Sequence, residues 1–385
     1  MKVLYVAPGN DIHAIRWINR IAEQGIDCVL LNSIPNHELL PTSARVINGG
    51  NPYSLAEQKL SKNPIMSIKR YFYFKSTVRE AILKEQPDIV HLHWLFDLPQ
   101  LAAARNSNVP IIATPYGSDL LLYSRLTVKN FLKSMINYLL TRSIVRRAKY
   151  FCCDAAHLKT RLIKLGANSQ DVEIIYFGTN TEEFSPSLKS TSFRKELGIY
   201  ENDIIILSNR GLSPIYDVKT FVLAAKHVLK VNENVSFLIA GGGPLLQELQ
   251  QLVQQLDISH KVTFLGRLSD EDFRLATGNA DIYVSTSTSD GGLAASVAEA
   301  MSCGIPVVIT EFGDNSKWLD DSTAGFSFEI GDDQKLASIL LNLASNSELR
   351  TKLGNQGRKI ISSRNNSKIE ITKVVGLYRK ALERP

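Results

Sequence analysis

The segment Ser285–Thr310, STSTSDGGLAASVAEAMSCGIPVVIT, is the stretch around which the chain is organised. A Ser/Thr-rich run follows an apolar strand predicted at Ala280–Val284, passes through Gly291–Gly292 and enters a helix of small residues. Gly304-Ile305-Pro306 ends that helix and leads into a strand predicted at Val307–Thr310. Because the first turn of a helix carries unpaired N–H groups and the positive end of its dipole, such a turn favours phosphate or sugar oxygens.

Glu299 lies about two turns into the same helix, where its carboxylate could accept hydrogen bonds from two neighbouring hydroxyls, as on a ribose. The alternative is a tight strand–helix turn that needs glycine for steric reasons, with Glu299 exposed on the surface. The pattern of residues alone leaves both interpretations open.

The run Glu299–Val308, EAMSCGIPVV, resembles the segment that closes the E-x7-E signature of family 4 glycosyltransferases. Other landmarks resemble that family in the same order: Arg210 after the strand DIIILS, the turn GGGP, then FLGR and ADIYVS. The turns Pro115–Asp119 and Gly178–Pro186 resemble its HGSD and GVDTxxFxP turns. The resemblance therefore extends over roughly residues 115–310.

The length and the apolar runs favour two α/β domains. A chain of 385 residues can build two separate cores. It begins with a βαβ pattern and a glycine at the first crossover, as doubly wound sheets do. The resemblance implies the GT-B fold, with two Rossmann-like doubly wound domains facing across a cleft. The predicted division is an acceptor-side domain over 1–183, a nucleotide-sugar domain over 184–365, and a helix over 366–385 that returns to the first domain.

The resemblance implies a retaining glycosyltransferase that moves a sugar from a nucleotide-diphosphate donor to a saccharide or lipid-linked acceptor, in the synthesis of surface polysaccharide or glycolipid. The donor would be a co-substrate, and no metal or other cofactor is expected. Two alternatives stay open. One is a nucleotide-sugar epimerase of the same architecture, which needs groups that abstract a carbon-bound proton. The other is a subunit that binds nucleotide-sugar without turnover.

The resemblance assigns the donor site to the second half. Arg210 would neutralise the leaving diphosphate, since its planar fork can hold two phosphate oxygens, although a salt bridge at a strand end is the alternative. Tyr216 occupies the position where the family has lysine. The signature expects glutamate at Gly291, so either Asp290 replaces it or this position has no acid. The predicted donor-binding residues are Gly9, Arg210, Tyr216, Gly241, Gly243, Arg267, Leu268, Gly291, Gly292, Leu293, Ala294 and Glu299.

The predicted catalytic residues are Arg210, Asp290 and Tyr116, and the predicted acceptor-side residues are His13, Arg16, His93 and Asp119. Tyr116 stands where the family has histidine, and a phenol can donate a hydrogen bond but carries no positive charge. For His13 a core or surface role is the alternative. The pair His91 and His93 on one strand could suit a metal, but no third ligand is evident, and lining the site is the preferred interpretation.

Net charge is unevenly distributed. Residues 1–185 hold 22 Lys+Arg against 15 Asp+Glu, a net of +7, which leaves −1 for the remainder of a chain whose total is +6. Two basic segments, Lys59–Lys84 and Leu120–Cys153, account for the excess. They predict contact with an anionic membrane surface, or else solvated basic rims around core helices. Nucleic acid is not an expected partner, because no binding motif is present.

The four cysteines form no CxxC pair and predict free thiols in a reducing cytosol. The apolar start Met1–Pro8 is too short for a signal peptide, and no window approaches the ~18 apolar residues of a spanning helix. The predicted location is therefore cytoplasmic, with a peripheral position at the inner face of the membrane.

Overall fold

The computed structural model describes residues 1–34, 42–48, 64–95, 97–121, 131–288 and 292–383, without the side chains at 64–67, 118, 132, 133 and 191. The chain divides into two compact units, Met1–Phe177 with Glu370–Pro385, and Gly178–Ile369. The first boundary between the units therefore lies between Phe177 and Gly178, several residues before the predicted boundary at residue 183. The reason is that the turn after Phe177 bonds to a later segment of the second unit: Gly178 N donates to Asn365 Oδ1, and Thr179 N to Asn365 O.

The first unit contains one parallel sheet. Its described strands are β1 Lys2–Ala7, β2 Asp27–Asn32, β3 Arg45–Asn48, β4 Ile89–His93, β5 Ile111–Thr114, β6 Tyr150–Cys153 and β7 Val172–Ile174, in the order β3-β2-β1-β4-β5-β6-β7. Most are short runs of buried apolar residues, as expected for strands covered on both faces. The order reverses between β1 and β4, and ligands bind at the carboxyl ends of strands at such a point.

Helices cover both faces of this sheet. The described helices before the second unit are α1 Ile12–Ala22, α2 Pro64–Glu85, α3 Leu98–Asn106, α4 Ser118–Leu121, α5 Phe131–Val145 and α6 Ala156–Leu165. α2, α3, α5 and α6 contribute to the core on one face. α1 and the last helix of the chain build the core of the other face, with Trp17 and Tyr378 among its buried side chains. Both β1 and β4 are therefore fully enclosed.

The second unit contains the sheet order β10-β9-β8-β11-β12-β13 among its described residues. The strands are β8 Ile204–Ser208, β9 Val235–Ala240, β10 Val262–Gly266, β11 Ile282–Ser285, β12 Val307–Thr310 and β13 Gly325–Phe328. The described helices are α7 Thr191–Glu196, α8 Val218–Leu229, α9 Leu246–Gln255, α10 Asp270–Asn279, α11 Ala295–Ser302, α12 Asp333–Ser345 and α13 Ser347–Arg364, and α14 Ser367–Glu383 then passes into the first unit. The order reverses between β8 and β11, which places the predicted donor residues at the switch point.

The Ser/Thr-rich segment after Pro186 is a packed part of the second unit and not a free linker. A Cβ on Gly278 would lie 2.3 Å from Leu188 Cβ, so this segment lies directly against α10. Asn279 then bonds to it twice, through Nδ2 to Leu188 O at 3.1 Å and through Oδ1 from Ser190 N at 2.7 Å. Its composition is typical of a linker. Contacts with α10, which is distant in sequence, nevertheless hold it in a defined conformation.

In the parts of the chain that the structure describes, no helix is both long and apolar enough to cross a bilayer. All four cysteines are buried and form no disulfide.

Candidate functional site

The carboxyl end of β8 carries Arg210 in a defined position. Its guanidinium carbon lies 4.6 Å from the centroid of the Tyr216 ring, and Nη1 donates to Ser296 Oγ at 3.1 Å. A guanidinium stacked on an aromatic face is attracted by the ring quadrupole, which restricts its orientation. Arg210 and Tyr216, both predicted for the donor site, are therefore brought together by the fold.

Tyr216 is held in place by the segment that follows β11. It ends a short 3₁₀ turn, Pro214–Tyr216. Thr286 Oγ1 donates to Tyr216 O at 2.7 Å, and both the amide N and Oγ1 of Thr288 donate to Ile215 O at 2.8 and 3.0 Å. The Ser/Thr-rich run of the organising segment thus has a structural role, because its hydroxyls fix the turn that presents the Tyr216 ring.

The glycines of the GGGP turn are needed for packing of backbone on backbone. A Cβ on Gly241 would lie 2.4 Å from Arg210 O, and a Cβ on Gly243 would lie 2.2 Å from Leu212 O. Leu212 N also donates to Gly242 O at 3.0 Å. The predicted contact of Gly241 and Gly243 with the donor stays a prediction, and the structure shows that the loop after β8 lies directly against both glycines. Their described role is to let the Arg210 loop approach the turn after β9.

Several other predicted donor residues lie in the described part of the same unit. Glu299 lies on α11 and is 6% exposed, which excludes the interpretation of an exposed surface carboxylate. Gly292 and Leu293 are buried just ahead of α11, with Ala294 half-buried. Arg267 is exposed, and its side chain lies against Gly242, where a Cβ would meet Nε at 2.9 Å.

Leu268, beside Arg267, is half-buried. Asp290 and Gly291 lie outside the described residues, so the alternatives for the first acid of the signature both stay predictions.

In the first unit, three aromatic rings that follow β4, β5 and β7 in the chain form a stack. Tyr116 lies between Trp94 and Phe177, with centroid separations of 4.7 and 5.1 Å and interplanar angles of 15° and 21°. The hydroxyl of Tyr116 is 2.6 Å from His93 Nδ1, and the exposed His13 ring lies 6.1 Å from that of Tyr116. Three predicted residues, His13, His93 and Tyr116, therefore lie together.

The hydroxyl of Tyr116 is directed at a buried histidine. Sequence reasoning predicts that this hydroxyl donates to phosphate or sugar. In the structure its described partner is His93, which is 0% exposed. Burial raises the pKa of Tyr116 well above its ordinary value, so the phenol stays neutral.

Asp119 is fully buried and organises the turn after β5. Its Oδ1 accepts from the N–H groups of Tyr116, Gly117 and Leu120 at 3.0–3.1 Å, and its Oδ2 accepts from Leu95 N at 3.0 Å. Burial raises the pKa of Asp119 to about 6, against the opposing effect of these hydrogen bonds. Both carboxylate oxygens therefore have a structural role, since they accept from backbone, and the acceptor-side role stays a prediction.

Gly9 and Arg16 flank the same edge of the sheet. The N–H of Gly9 donates to Asn32 Oδ1 at 2.8 Å inside the unit, so this group is engaged by the protein. Arg16 is half-buried on α1. Among the described residues, no three His, Cys, Asp or Glu side chains form a group that could hold a metal ion.

His93 provides a pH-dependent test of this cluster. Burial lowers its pKa to about 4, and in the described residues its Nε2 has no hydrogen-bond partner. The unfolded chain takes up a proton near pH 6.5, while the folded chain resists it until about pH 4. As the pH drops through this window, we therefore expect protonation of His93 to lower the free energy of unfolding by about 3 kcal/mol. Asp119, whose pKa is raised, contributes in the opposite direction, so the difference between wild type and His93→Gln isolates the contribution of His93.

Urea unfolding at several pH values measures this loss. His93→Gln should flatten the dependence between pH 6.5 and 4, whereas His260→Gln, at an exposed imidazole, should not. Equal slopes in wild type and His93→Gln would contradict the assignment.

Comparisons with known proteins identify the family of the chain. Residues 9–183 match the family described as Glycosyltransferase Family 4, and residues 189–360 match Glycosyl transferases group 1. The chain belongs to the family 4, group 1 glycosyltransferases. It is a transferase enzyme, so the family assignment favours neither the epimerase nor the non-catalytic subunit.

Individual relatives of this glycosyltransferase are distant in sequence. It is 25% identical over 316 residues to N-acetyl-alpha-D-glucosaminyl L-malate synthase of Bacillus anthracis, covering 80% of this chain and 78% of that protein. It is 28% identical over 257 residues to alpha-monoglucosyldiacylglycerol synthase of Streptococcus pneumoniae, covering 64% and 57%. The structure of Anabaena HepE in complex with UDP-glucose matches with a TM-score of 0.76 at 19% identity, covering 99% of this chain and 100% of that one.

The predicted fold class, GT-B with two Rossmann-like doubly wound α/β domains, is confirmed.

Proposed function

We propose that this glycosyltransferase moves a sugar from a nucleotide-diphosphate donor to a saccharide or lipid-linked acceptor, with retention of the anomeric configuration. The observation that carries the proposal is Arg210, held on the Tyr216 ring at the switch point of the second sheet. A diphosphate that leaves the sugar gains negative charge, and a fixed cation stabilises that charge without reorganising. The UDP-glucose complex of HepE and the acylglycerol product in the name of the pneumococcal relative support donor and acceptor classes of this kind.

In the proposed step, the bond between C1 of the sugar and the β-phosphate oxygen breaks. The acceptor oxygen bonds to C1 from the same face, and the acceptor proton passes to an oxygen of the leaving phosphate. Arg210 and the backbone at Gly291–Ala294 bind the diphosphate, Glu299 the ribose hydroxyls, and Asp290 a hydroxyl of the sugar. Because Arg210 and the dipole of α11 supply positive charge, the proposal requires no metal.

Incubating the purified chain with UDP-glucose and a panel of other nucleotide-sugars tests this function. Slow release of nucleoside diphosphate, together with an α-configured product from an α-linked donor, supports retaining transfer. Inversion at C2 of the sugar would instead indicate epimerisation, and binding without turnover would indicate a binding subunit. The anomeric configuration is measured by proton NMR of the product.

We also propose that the first unit rests on an anionic membrane surface at the inner face of the membrane. α2 exposes Ile68, Phe72 and Leu83, at 57%, 60% and 66%, and α5 exposes Ile136 and Leu139, at 49% and 54%. Apolar side chains beside exposed cations suit the boundary between lipid headgroups and acyl chains.

The two helices belong to one side of the first unit. Arg105 of α3 joins them: its guanidinium carbon lies 6.0 Å from the centroid of the Tyr71 ring on α2, and Nη2 donates to Ser143 Oγ on α5 at 3.5 Å. The same side carries exposed Lys69, Arg79 and Lys84 on α2, and exposed Arg146 and Arg147 follow α5. The described part of this side is thus both basic and apolar.

Replacing Arg142, Arg146 and Arg147 with glutamine should weaken binding to vesicles rich in phosphatidylglycerol by about 100-fold. The reason is that each cation near an anionic surface contributes about 1 kcal/mol. The loss is measured by co-sedimentation at constant salt. Phe72→Ser with Leu139→Ser should also weaken binding, whereas Tyr200→Ser with Val231→Ser, both 73% exposed in the second unit, should not. Unchanged binding of the arginine variant would refute the proposal.

A further inference from the structure

A chain of buried and partly buried hydrogen bonds extends from Arg210 into the interior of the second unit. Arg210 Nη1 donates to Ser296 Oγ at 3.1 Å, and Ser296 Oγ is 2.8 Å from the hydroxyl of Tyr283. That hydroxyl is 2.7 Å from Asn209 Oδ1, and Asn209 Nδ2 donates to Thr277 Oγ1 at 3.2 Å. Thr277 Oγ1 ends the chain by donating to the backbone oxygen of Phe273 at 2.7 Å. The chain thus links β8, β11, α11 and α10.

The proton directions in this chain are mutually consistent. A phenol has one proton, and Asn209 Oδ1 can only accept, so the proton of Tyr283 is directed at Asn209. Ser296 therefore donates its own proton to the oxygen of Tyr283, which leaves Ser296 Oγ to accept from Arg210. Each hydroxyl donates once and accepts once, from a cationic donor at one end to a backbone acceptor at the other.

The burial of these groups makes the chain rigid. Tyr283 and Thr277 are 0% exposed and Ser296 is 8% exposed. Because a buried polar group without its partner costs free energy, each member restrains its neighbours, and water cannot replace them easily. Apolar side chains could fill this part of the core equally well. The presence of four polar side chains here therefore needs an explanation other than stability.

We infer that Ser296, Tyr283, Asn209 and Thr277 are positioning residues for Arg210, and this inference rests on the proposed function, in which Arg210 binds the donor diphosphate. Tyr216 fixes the face of the guanidinium, while Ser296 fixes one edge of its plane. Two restraints remove most of the rotamer freedom of a long side chain before the donor arrives. In this chain Tyr216 occupies the position where the family has lysine, so Arg210 is the one cation left of that pair. Preorganisation of Arg210 increases the stabilisation that this single charge gives to the diphosphate.

A double-mutant cycle tests the inference. The probe is whichever of UDP, GDP and ADP the wild-type enzyme binds most tightly, with affinity measured by calorimetry and donor turnover measured in parallel. Ser296→Ala and Tyr283→Phe should each weaken binding of that nucleotide about 10-fold in the wild-type background. In the Arg210→Ala background, neither should weaken it further, because the positioned group is gone. Ser296→Thr, which keeps the hydroxyl, should restore most of the affinity.

The control is Ser302→Ala, which removes another buried hydroxyl of α11, one that donates to Phe184 O at 2.6 Å. It should leave nucleotide affinity unchanged. The inference would be overturned if the losses of nucleotide affinity were additive in the Arg210→Ala background, or if Ser296→Ala caused no loss. If Ser296→Ala does not fold, Tyr283→Phe provides the test. If Arg210→Ala itself leaves binding unchanged, or no nucleotide binds, the proposed function fails instead.

Discussion

Arg210→Ala is expected to lower kcat/KM for donor turnover by about 10²–10³-fold, the loss that follows from removing one preorganised group that stabilises developing negative charge. The guanidinium is held against Tyr216 and Ser296, so its removal takes away a fixed charge. The stability of the fold should change little, because Arg210 is only half-buried. Its partners also keep other hydrogen bonds: Ser296 bonds to Tyr283, and Tyr216 O accepts from Thr286. Steady-state kinetics with thermal melting measures both effects.

Two further variants sharpen this test. Arg210→Lys keeps the charge but loses the planar fork and the stacking, so it should recover only part of the activity. Arg364→Ala removes an exposed arginine of the same unit that belongs to no predicted site, and it should leave turnover nearly unchanged. If Arg210→Ala and Arg364→Ala lower turnover equally, the specific role of Arg210 is wrong.

Asp119→Ala is expected to lower the free energy of unfolding by about 3–5 kcal/mol, which is large against the ~5–15 kcal/mol of a typical domain. The carboxylate is 0% exposed and accepts from four backbone N–H groups. Alanine would leave those donors buried without their acceptor. Urea denaturation at neutral pH measures the loss.

Asp119→Asn is the informative companion, because its amide keeps one oxygen acceptor and should cost less than alanine. Glu182→Gln, at a carboxylate whose side chain is 72% exposed and paired with Lys368, should change stability by less than ~0.5 kcal/mol. A loss from Asp119→Ala no greater than that of Glu182→Gln would show that the turn does not depend on this carboxylate.

The strands and their class could be predicted from the sequence because their cause is local. Val3–Ala7 and Ile204–Leu207 are unbroken apolar runs, which are typical of strands in a parallel sheet covered on both faces. The order of turns along the second unit carried the resemblance to family 4, and the fold and family follow from it. The exact ends of elements depend on neighbours, as the ordered segment after Pro186 shows.

The sequence predicts which residues lie at the candidate site better than it predicts what each of them contacts there. Arg210 and Tyr216 were assigned to one site and lie together. For Asp119 and Gly241 the sequence predicts contacts with substrates, and the structure shows a backbone role that the sequence does not predict: Asp119 accepts from four N–H groups, and Gly241 leaves room for Arg210 O. Spacing in the chain indicates which residues reach a strand end, but not which partner they meet there.

The sequence by itself determined that two doubly wound units form, that most residues predicted for the donor site follow strands of the second unit, and that the first half is basic. Apolar periodicity, glycine turns and charge are properties of consecutive residues, so they can be seen without a structure. Only the tertiary structure decided that Ser296 and Tyr283 connect to Arg210 and that Tyr116 lies between Trp94 and Phe177. Those contacts join residues from 13 to 86 positions apart, and their distances depend on how the strands and helices pack.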